Sequence, residues 1–233
     1  MATFVLVHGA WGGALIWRLN AQALRKAGHE VYTPTLTGLG DRQHLLSREI
    51  DLDTHVKDVL GVIDYEDLSD IVLVGHSYGG MVVSGVADAV PAKIASLVYL
   101  DAFVPENGRA LFDLLPPGMP KAAPVPGVEW LTAPLPVEVF GDVSVEMREF
   151  ARHKATPHPT ACFTQPLAIT GGIDRIQRKT YIYCNDPEPT TFTPFYERLK
   201  SKPGWTIHTL ACSHFAQMDM PKESTELLLQ AIP

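Results

Sequence analysis

The residues of this 233-residue chain best suited to chemistry are Gly75-His76-Ser77-Tyr78-Gly79. They follow the apolar, β-branched run Ile71-Val72-Leu73-Val74 and precede Met81 to Ala87, which reads as a helix. Strand, G-x-S-x-G, helix is the context of a nucleophile elbow. Glycines two before and two after the serine allow a turn too tight for side chains, and the strained turn lifts the hydroxyl above a sheet. A glycine-rich turn whose serine caps a helix has the same bare motif; the strand before and the helix after select the nucleophile. A second cluster, His8-Gly9-Ala10-Trp11-Gly12-Gly13, follows the apolar run Phe4–Val7. Its spacing is not G-x-G-x-x-G, and no acid stands after the second strand to bind a ribose. It fits an oxyanion loop instead. Acyl transfer needs two backbone N–H groups aimed at the developing oxyanion. Tyr78, after the nucleophile, supplies one, and Ala10 the other.

A serine hydroxyl is a weak nucleophile and needs a base. Nine histidines compete. His214 follows the last strand and precedes the last helix, on the catalytic edge, so it is the candidate. His76 is expected to point away beside the sheet. His29, His44 and His55 read as surface or the far edge, His8 belongs to the oxyanion loop, His153 and His158 to an insertion, and His208 to mid-strand. The base needs an acid to fix its tautomer. Asp186, after the strand at 180–184, and Asp101, at the end of the strand at 94–100, both qualify, with Glu188 a distant third. The residues leave this choice open.

The elements that must position these groups alternate. Strands are read at 4–7, 29–34, 71–74, 94–100, 180–184 and 205–210. Helices are read at 15–27, 51–66, 81–87, 192–200 and 218–232, with Gly28 as a stop and Asp51 or Asp53 near an N-cap. The pattern predicts an α/β fold with a mostly parallel six-stranded sheet and helices on both faces. Residues 105–166 differ, holding Pro116, Pro117, Pro120, Pro124, Pro126, Pro134, Pro136, Pro157 and Pro159 and one helix near 144–154. So many prolines forbid long regular elements, while Leu111, Phe112, Leu114, Leu115, Trp130 and Phe140 are too apolar for disorder. The segment reads as an inserted lid on a core of 1–104 and 167–233. Such a lid favours apolar or aromatic substrates. Trp11, Phe103, Trp130, Phe215 and Tyr78 are candidates for the substrate pocket. Asp41 and Arg42 read as a local surface pair.

The chain is 46% apolar and 19% charged, an ordinary globular composition. Its formal charge of −7 and lack of a basic block argue against nucleic acid. No apolar run approaches the roughly 20 residues that span a bilayer, and no secretory leader is read, so the expected location is cytoplasmic. Cys162, Cys184 and Cys212 form no disulfide or zinc pattern and read as small core residues. No cofactor or metal is expected.

With these residues in place the chain resembles the α/β-hydrolase superfamily. More narrowly it resembles the compact group of plant methyl esterases and hydroxynitrile lyases and their bacterial esterase relatives. The resemblance rests on Phe4 to Trp11, Val72 to Gly80, Leu97 to Pro105 and Tyr181 to Cys184. It implies Ser77 as nucleophile, His214 as base and Ala10 and Tyr78 N–H as oxyanion hole. The plant members place their acid a few residues after the Tyr-x-x-Cys-like strand and lack one where Asp101 stands; here Asp186 is out of step by one position. Bacterial relatives with Tyr-Leu-Asp-Ala-Phe match better, which tilts the choice toward Asp101 without closing it.

The expected activity is hydrolysis of a small carboxylic ester, with a methyl ester or carbamate as candidates, through an acyl-enzyme, by a monomer or homodimer. A hydroxynitrile lyase using the same triad is the first rival. Such lyases carry a lysine past the later acid loop, where Pro187 and Glu188 stand here. A ligand receptor on the same fold is the second.

Overall fold

A computed structural model describes residues 1–119 and 121–233; Pro120 lies outside the described residues. β1 (Thr3–Val7) leads through the glycine loop into α1 (Arg18–Lys26), which stops at Gly28, φ +88°. β2 (Glu30–Tyr32), α2 (Leu52–Tyr65), β3 (Ile71–Ser77), α3 (Gly79–Ala89) and β4 (Ile94–Ala102) follow. Asp51 caps α2. Its Oδ1 accepts from the Thr54 N–H at 2.8 Å, and Thr54 Oγ1 accepts in return from the Asp51 N–H at 3.4 Å. Residues 105–166 carry a small antiparallel sheet of β5 (Pro124–Val125), β6 (Val128–Thr132) and β7 (His158–Pro159), together with α4 (Val145–Lys154) and α5 (Ala161–Thr164). β8 (Lys179–Cys184), α6 (Thr193–Leu199), β9 (Trp205–Leu210), α7 (Ala216–Asp219) and α8 (Pro221–Gln230) complete the chain.

The main sheet has six strands in the order β2-β1-β3-β4-β8-β9, all parallel. Period-two alternation divides its side chains between two layers. Val5, Val7, Leu73, Leu97, Tyr99 and Tyr181 pack with Val59 and Ile63 of α2, Val82 and Val86 of α3 and Phe195 of α6. Phe4, Leu6, Val74, Val98, Leu100 and Ile182 pack with Leu24 of α1 and Leu228 of α8. The sheet's C-terminal edge, where β1, β3 and β4 end, carries the candidate site, as open α/β sheets do.

The closing helix α8 lies within 218–232; Pro221 cannot continue α7 and instead starts α8. Residues 167–177 hold a short 3-10 turn, Ile173–Arg175. One local expectation is corrected. Arg42 pairs with Asp58 (3.2 Å) rather than its neighbour Asp41, because Asp58 already accepts from the Thr37 N–H and hydroxyl beneath it. The three cysteines are buried and unpaired. Among the described residues no helix is long and apolar enough to cross a membrane.

Candidate active site

Ser77 ends β3 with φ +56°, and α3 begins two residues later. A left-handed backbone is rare for any residue but glycine and marks a strained turn. The flanking glycines are required by close approach. A Cβ on Gly75 would lie 2.7 Å from the Gly79 carbonyl oxygen, and one on Gly79 would lie 2.7 Å from the Val7 carbonyl oxygen. Strand, elbow and oxyanion loop therefore meet within van der Waals distance. Among the described residues neither the Ala10 N–H nor the Tyr78 N–H donates a hydrogen bond. Tyr78 also precedes the first turn of α3, whose dipole favours negative charge there.

His214 stands after β9, with Nδ1 2.6 Å from Asp101 Oδ2. Asp101 Oδ1 accepts from the Cys184 N–H at 3.1 Å. The acid is presented by a bulge. His76 faces Leu100 and Ser77 faces Ala102 across the β3–β4 ladder, so Asp101 is the extra residue, with φ +41°. Asp186 is exposed in its loop, and its N–H donates to the Cys212 carbonyl. Glu188 accepts from the Tyr183 hydroxyl instead. Of the candidate acids, only Asp101 reaches the histidine.

Burial lowers His214 to about 3. Burial also pushes the Asp101 carboxyl well up, opposed by the Cys184 N–H. The imidazole is thus neutral at rest. A proton on Nδ1, held by Asp101, leaves Nε2 free to accept one. The His214 ring stacks on Phe192 (4.6 Å) and Phe140 (4.9 Å), and the His214 backbone N–H donates to the Phe140 carbonyl.

Several histidine expectations are corrected. His76 does not point away. It lies 4.4 Å from His214, ring to ring, and its Nε2–H donates to the His214 carbonyl at 2.9 Å. His55 is fully buried, not at the surface. Its Nε2–H donates to the Thr37 carbonyl, so its Nδ1 accepts the Tyr78 hydroxyl at 2.8 Å. His158 is also fully buried, and its Nδ1 accepts the Trp11 N–H at 3.2 Å. His8 Nε2 accepts the Leu36 N–H, and burial lowers its pKa to about 4. No sequence signal exposes these contacts, because Trp11 and His158 are 147 residues apart.

Ser77 lies where two apolar chambers meet. One is lined by His76, His214, Phe215, Val137, Met147 and Phe150. The other is lined by Tyr78, Phe103, Leu111, Phe112, Phe163 and Phe192. Ala10, Trp11, Leu135 and Phe140 border both. Of the predicted pocket residues, Trp11, Tyr78, Phe103 and Phe215 are therefore in place. Trp130 is not. It lines neither chamber and is half-buried on β6 beneath the Arg48 guanidinium (5.7 Å).

Ligand atoms of His55, His158 and Cys162 come within 4.8 Å of one another. Their lone pairs are committed: His55 Nδ1 to Tyr78, His158 Nδ1 to Trp11. Burial holds the Cys162 thiol protonated. This donor set does not fit a metal ion, which needs deprotonated thiolate and free imidazole nitrogens.

Residues 4–226 match the model of the alpha/beta hydrolase family. The chain is 44% identical over 239 aligned positions to a carbendazim hydrolyzing esterase of Nocardioides sp. (strain SG-4G), covering 98% of each chain. It is 26% identical to polyneuridine aldehyde esterase of Rauvolfia serpentina, covering 97% of this chain and 94% of that one. Among solved structures, an extracellular α/β-hydrolase from a Paenibacillus species superposes with a TM-score of 0.81 at 27% identity, covering 99% of both chains. That hydrolase is described as sharing structural and functional homology with tobacco salicylic acid binding protein 2. The chain belongs to the alpha/beta hydrolase family and is an enzyme of that family.

Proposed function

We propose that this enzyme is a serine esterase that cleaves a small ester of an apolar or aromatic acid, or a carbamate, through an acyl-enzyme. The observation that carries the reading is a strained Ser77 in one apolar cavity with His214, whose Nδ1 is held at 2.6 Å by the buried Asp101. The esterase activities of the Nocardioides and Rauvolfia relatives support the same reading.

In this mechanism Ser77 Oγ attacks the carbonyl carbon while its proton passes to His214 Nε2. Charge develops on the carbonyl oxygen, where the N–H groups of Ala10 and Tyr78 receive it. Asp101 stabilises the imidazolium that forms. His214 then protonates the leaving alcohol and, after it departs, takes a proton from the water that hydrolyses the acyl-enzyme. Residues 105–166 act as the cap. Phe112, Met147 and Phe150 from this segment wall the chambers and exclude water. The chambers suit an acyl group and a leaving group placed on either side of Ser77.

Among the described residues neither chamber is lined by a lysine or arginine. A departing cyanide would find no cation there, which favours hydrolysis over hydroxynitrile cleavage. The test is turnover of methyl esters, p-nitrophenyl esters and carbendazim by wild type and Ser77→Ala, with alcohol and acid both quantified. Stoichiometric alcohol and acid from the esters, and methanol, carbon dioxide and the amine from carbendazim, are expected from wild type alone. Turnover by the folded Ser77→Ala variant would overturn the reading.

A further inference from the structure

We propose that His158 is a positioning residue for the oxyanion loop: by accepting the Trp11 N–H on Nδ1, it holds Ala10 in place beside Ser77. This inference rests on the serine-esterase reading and adds to it a second task for residues 105–166.

The loop needs a clamp. Trp11 has φ +59°, a backbone that a bulky residue does not hold by itself. Every polar group of Trp11 is gripped from residues 132–158. The N–H donates to His158 Nδ1 at 3.2 Å, and the carbonyl accepts from the Thr156 N–H at 2.8 Å. The indole N–H donates to the Thr132 carbonyl at 3.3 Å. Thr132 pairs with His158 in the β6–β7 ladder, so the contacts from Thr132 and His158 come from one small sheet. Ala10, next to Trp11, contributes the N–H aimed at the nucleophile. A loop freed at Trp11 would lose that aim.

His158 is itself immobilised. It is fully buried, and its ring lies 4.4 Å from Phe163 and 4.8 Å from the ring of Tyr78. Tyr78, which supplies the other oxyanion donor, is in turn held by its hydroxyl on His55. One aromatic cluster thus fixes both donors. With Nδ1 accepting, the His158 hydrogen sits on Nε2, which is buried without a hydrogen-bond partner. A phenylalanine would fill the same space without an orphaned polar atom. What only the imidazole supplies here is the Nδ1 acceptor.

The experiment compares His158→Phe, which keeps the ring volume, with His158→Asn, whose amide oxygen can stand where Nδ1 stands. Each is measured with a p-nitrophenyl ester and with a trifluoromethyl ketone. Ser77 Oγ adds to the ketone carbon, its proton passes to His214, and the carbonyl oxygen becomes an oxyanion. Melting temperature checks the fold of each variant. The expected result for His158→Phe is a kcat lower by about 10- to 100-fold, with the ketone inhibition constant raised by a similar factor. KM stays within about twofold, because the loss falls on the transition state. His158→Asn recovers to within about threefold of wild type in kcat, even where melting temperature drops. A folded His158→Phe enzyme with unchanged kcat and ketone affinity overturns the proposal. If the Phe variant does not fold, His158→Asn decides: a folded Asn variant that loses kcat and ketone affinity together overturns it, and one that keeps both supports it. Ser77→Ala is run in parallel. An inactive Ser77→Ala beside a wild-type-like His158→Phe removes this proposal alone, whereas an active Ser77→Ala removes both readings.

Discussion

Asp101 Oδ2 lies 2.6 Å from His214 Nδ1 because Asp101 is an extra residue of β4, set at the register shift between His76 and Ser77 of β3. A regular ladder would pair it with a β3 residue and alternate its side chain into a helix layer. The bulge, with φ +41°, turns it along the sheet edge toward β8 and the loop after β9. Cys184, at the end of β8, donates its N–H to the other carboxylate oxygen, so the acid is fixed at both ends.

This relationship separates the two aspartates. Asp101→Asn should lower kcat by about 10³- to 10⁴-fold while the fold is retained, because the amide stabilises the wrong imidazole tautomer. Asp186→Asn, altering an exposed loop residue, should leave kcat and KM within about twofold. Steady-state kinetics of both purified variants decides this.

The close contact behind the nucleophile gives a second prediction. A Cβ on Gly9 would lie 2.9 Å from Ser77 Cβ and 3.2 Å from His76 Nδ1. Gly9→Ala must therefore shift the elbow or the oxyanion loop. Overpacking of this kind costs about 1–3 kcal/mol of stability, and a misplacement near 1 Å at the reacting groups costs about a hundredfold in rate. Thermal melting combined with kcat should show a variant that is mostly folded at 25 °C and nearly inactive.

Acid should unfold the protein cooperatively. His8, His55, His76 and His158 are buried, and burial lowers the pKa of each, that of His8 to about 4. Unfolded, each returns to about 6.5. Below that value the unfolded chain binds protons that the folded chain refuses, so stability falls as pH falls. Each histidine removes up to about 1.4 kcal/mol per pH unit until its folded pKa is reached. Urea unfolding between pH 7 and pH 4.5 should show a steep loss. Mutating His8 or His158 to a neutral residue should flatten the slope by about one proton.

The pH–rate profile should separate from an ordinary histidine titration. His214 must be neutral to act as base, and burial holds it at about 3. kcat/KM should therefore stay flat as pH falls through 6.5, where a free imidazole would protonate. Activity should then drop together with the circular dichroism signal, marking unfolding rather than titration of the base.

Asp51→Ala removes the acceptor of the α2 capping box. Its cost should be about 1 kcal/mol, or roughly 2–4 °C in melting temperature for a chain of this length. The melting temperature of the purified variant checks this.

The Ser77 elbow, the position of His214 and the alternating strands were legible in the sequence because each is a local pattern. Gly75 and Gly79 flank Ser77 within one turn, apolar runs mark buried strands, and chain order places His214 after the last strand. What the tertiary structure decided depends on distant parts of the chain. The choice of Asp101 over Asp186 turns on a one-residue bulge, which alternation cannot show. His55 and His158 read as surface and insertion residues because an isolated histidine carries no sign of its environment; burial came from Thr37, Tyr78, Trp11 and Phe163. Trp130 read as a pocket residue by type, but it packs beneath Arg48, brought to it from a distant part of the chain, and lines neither chamber. Sequence periodicity specifies which residues share a face. Only packing between segments more than a hundred residues apart specifies which faces close around Ser77.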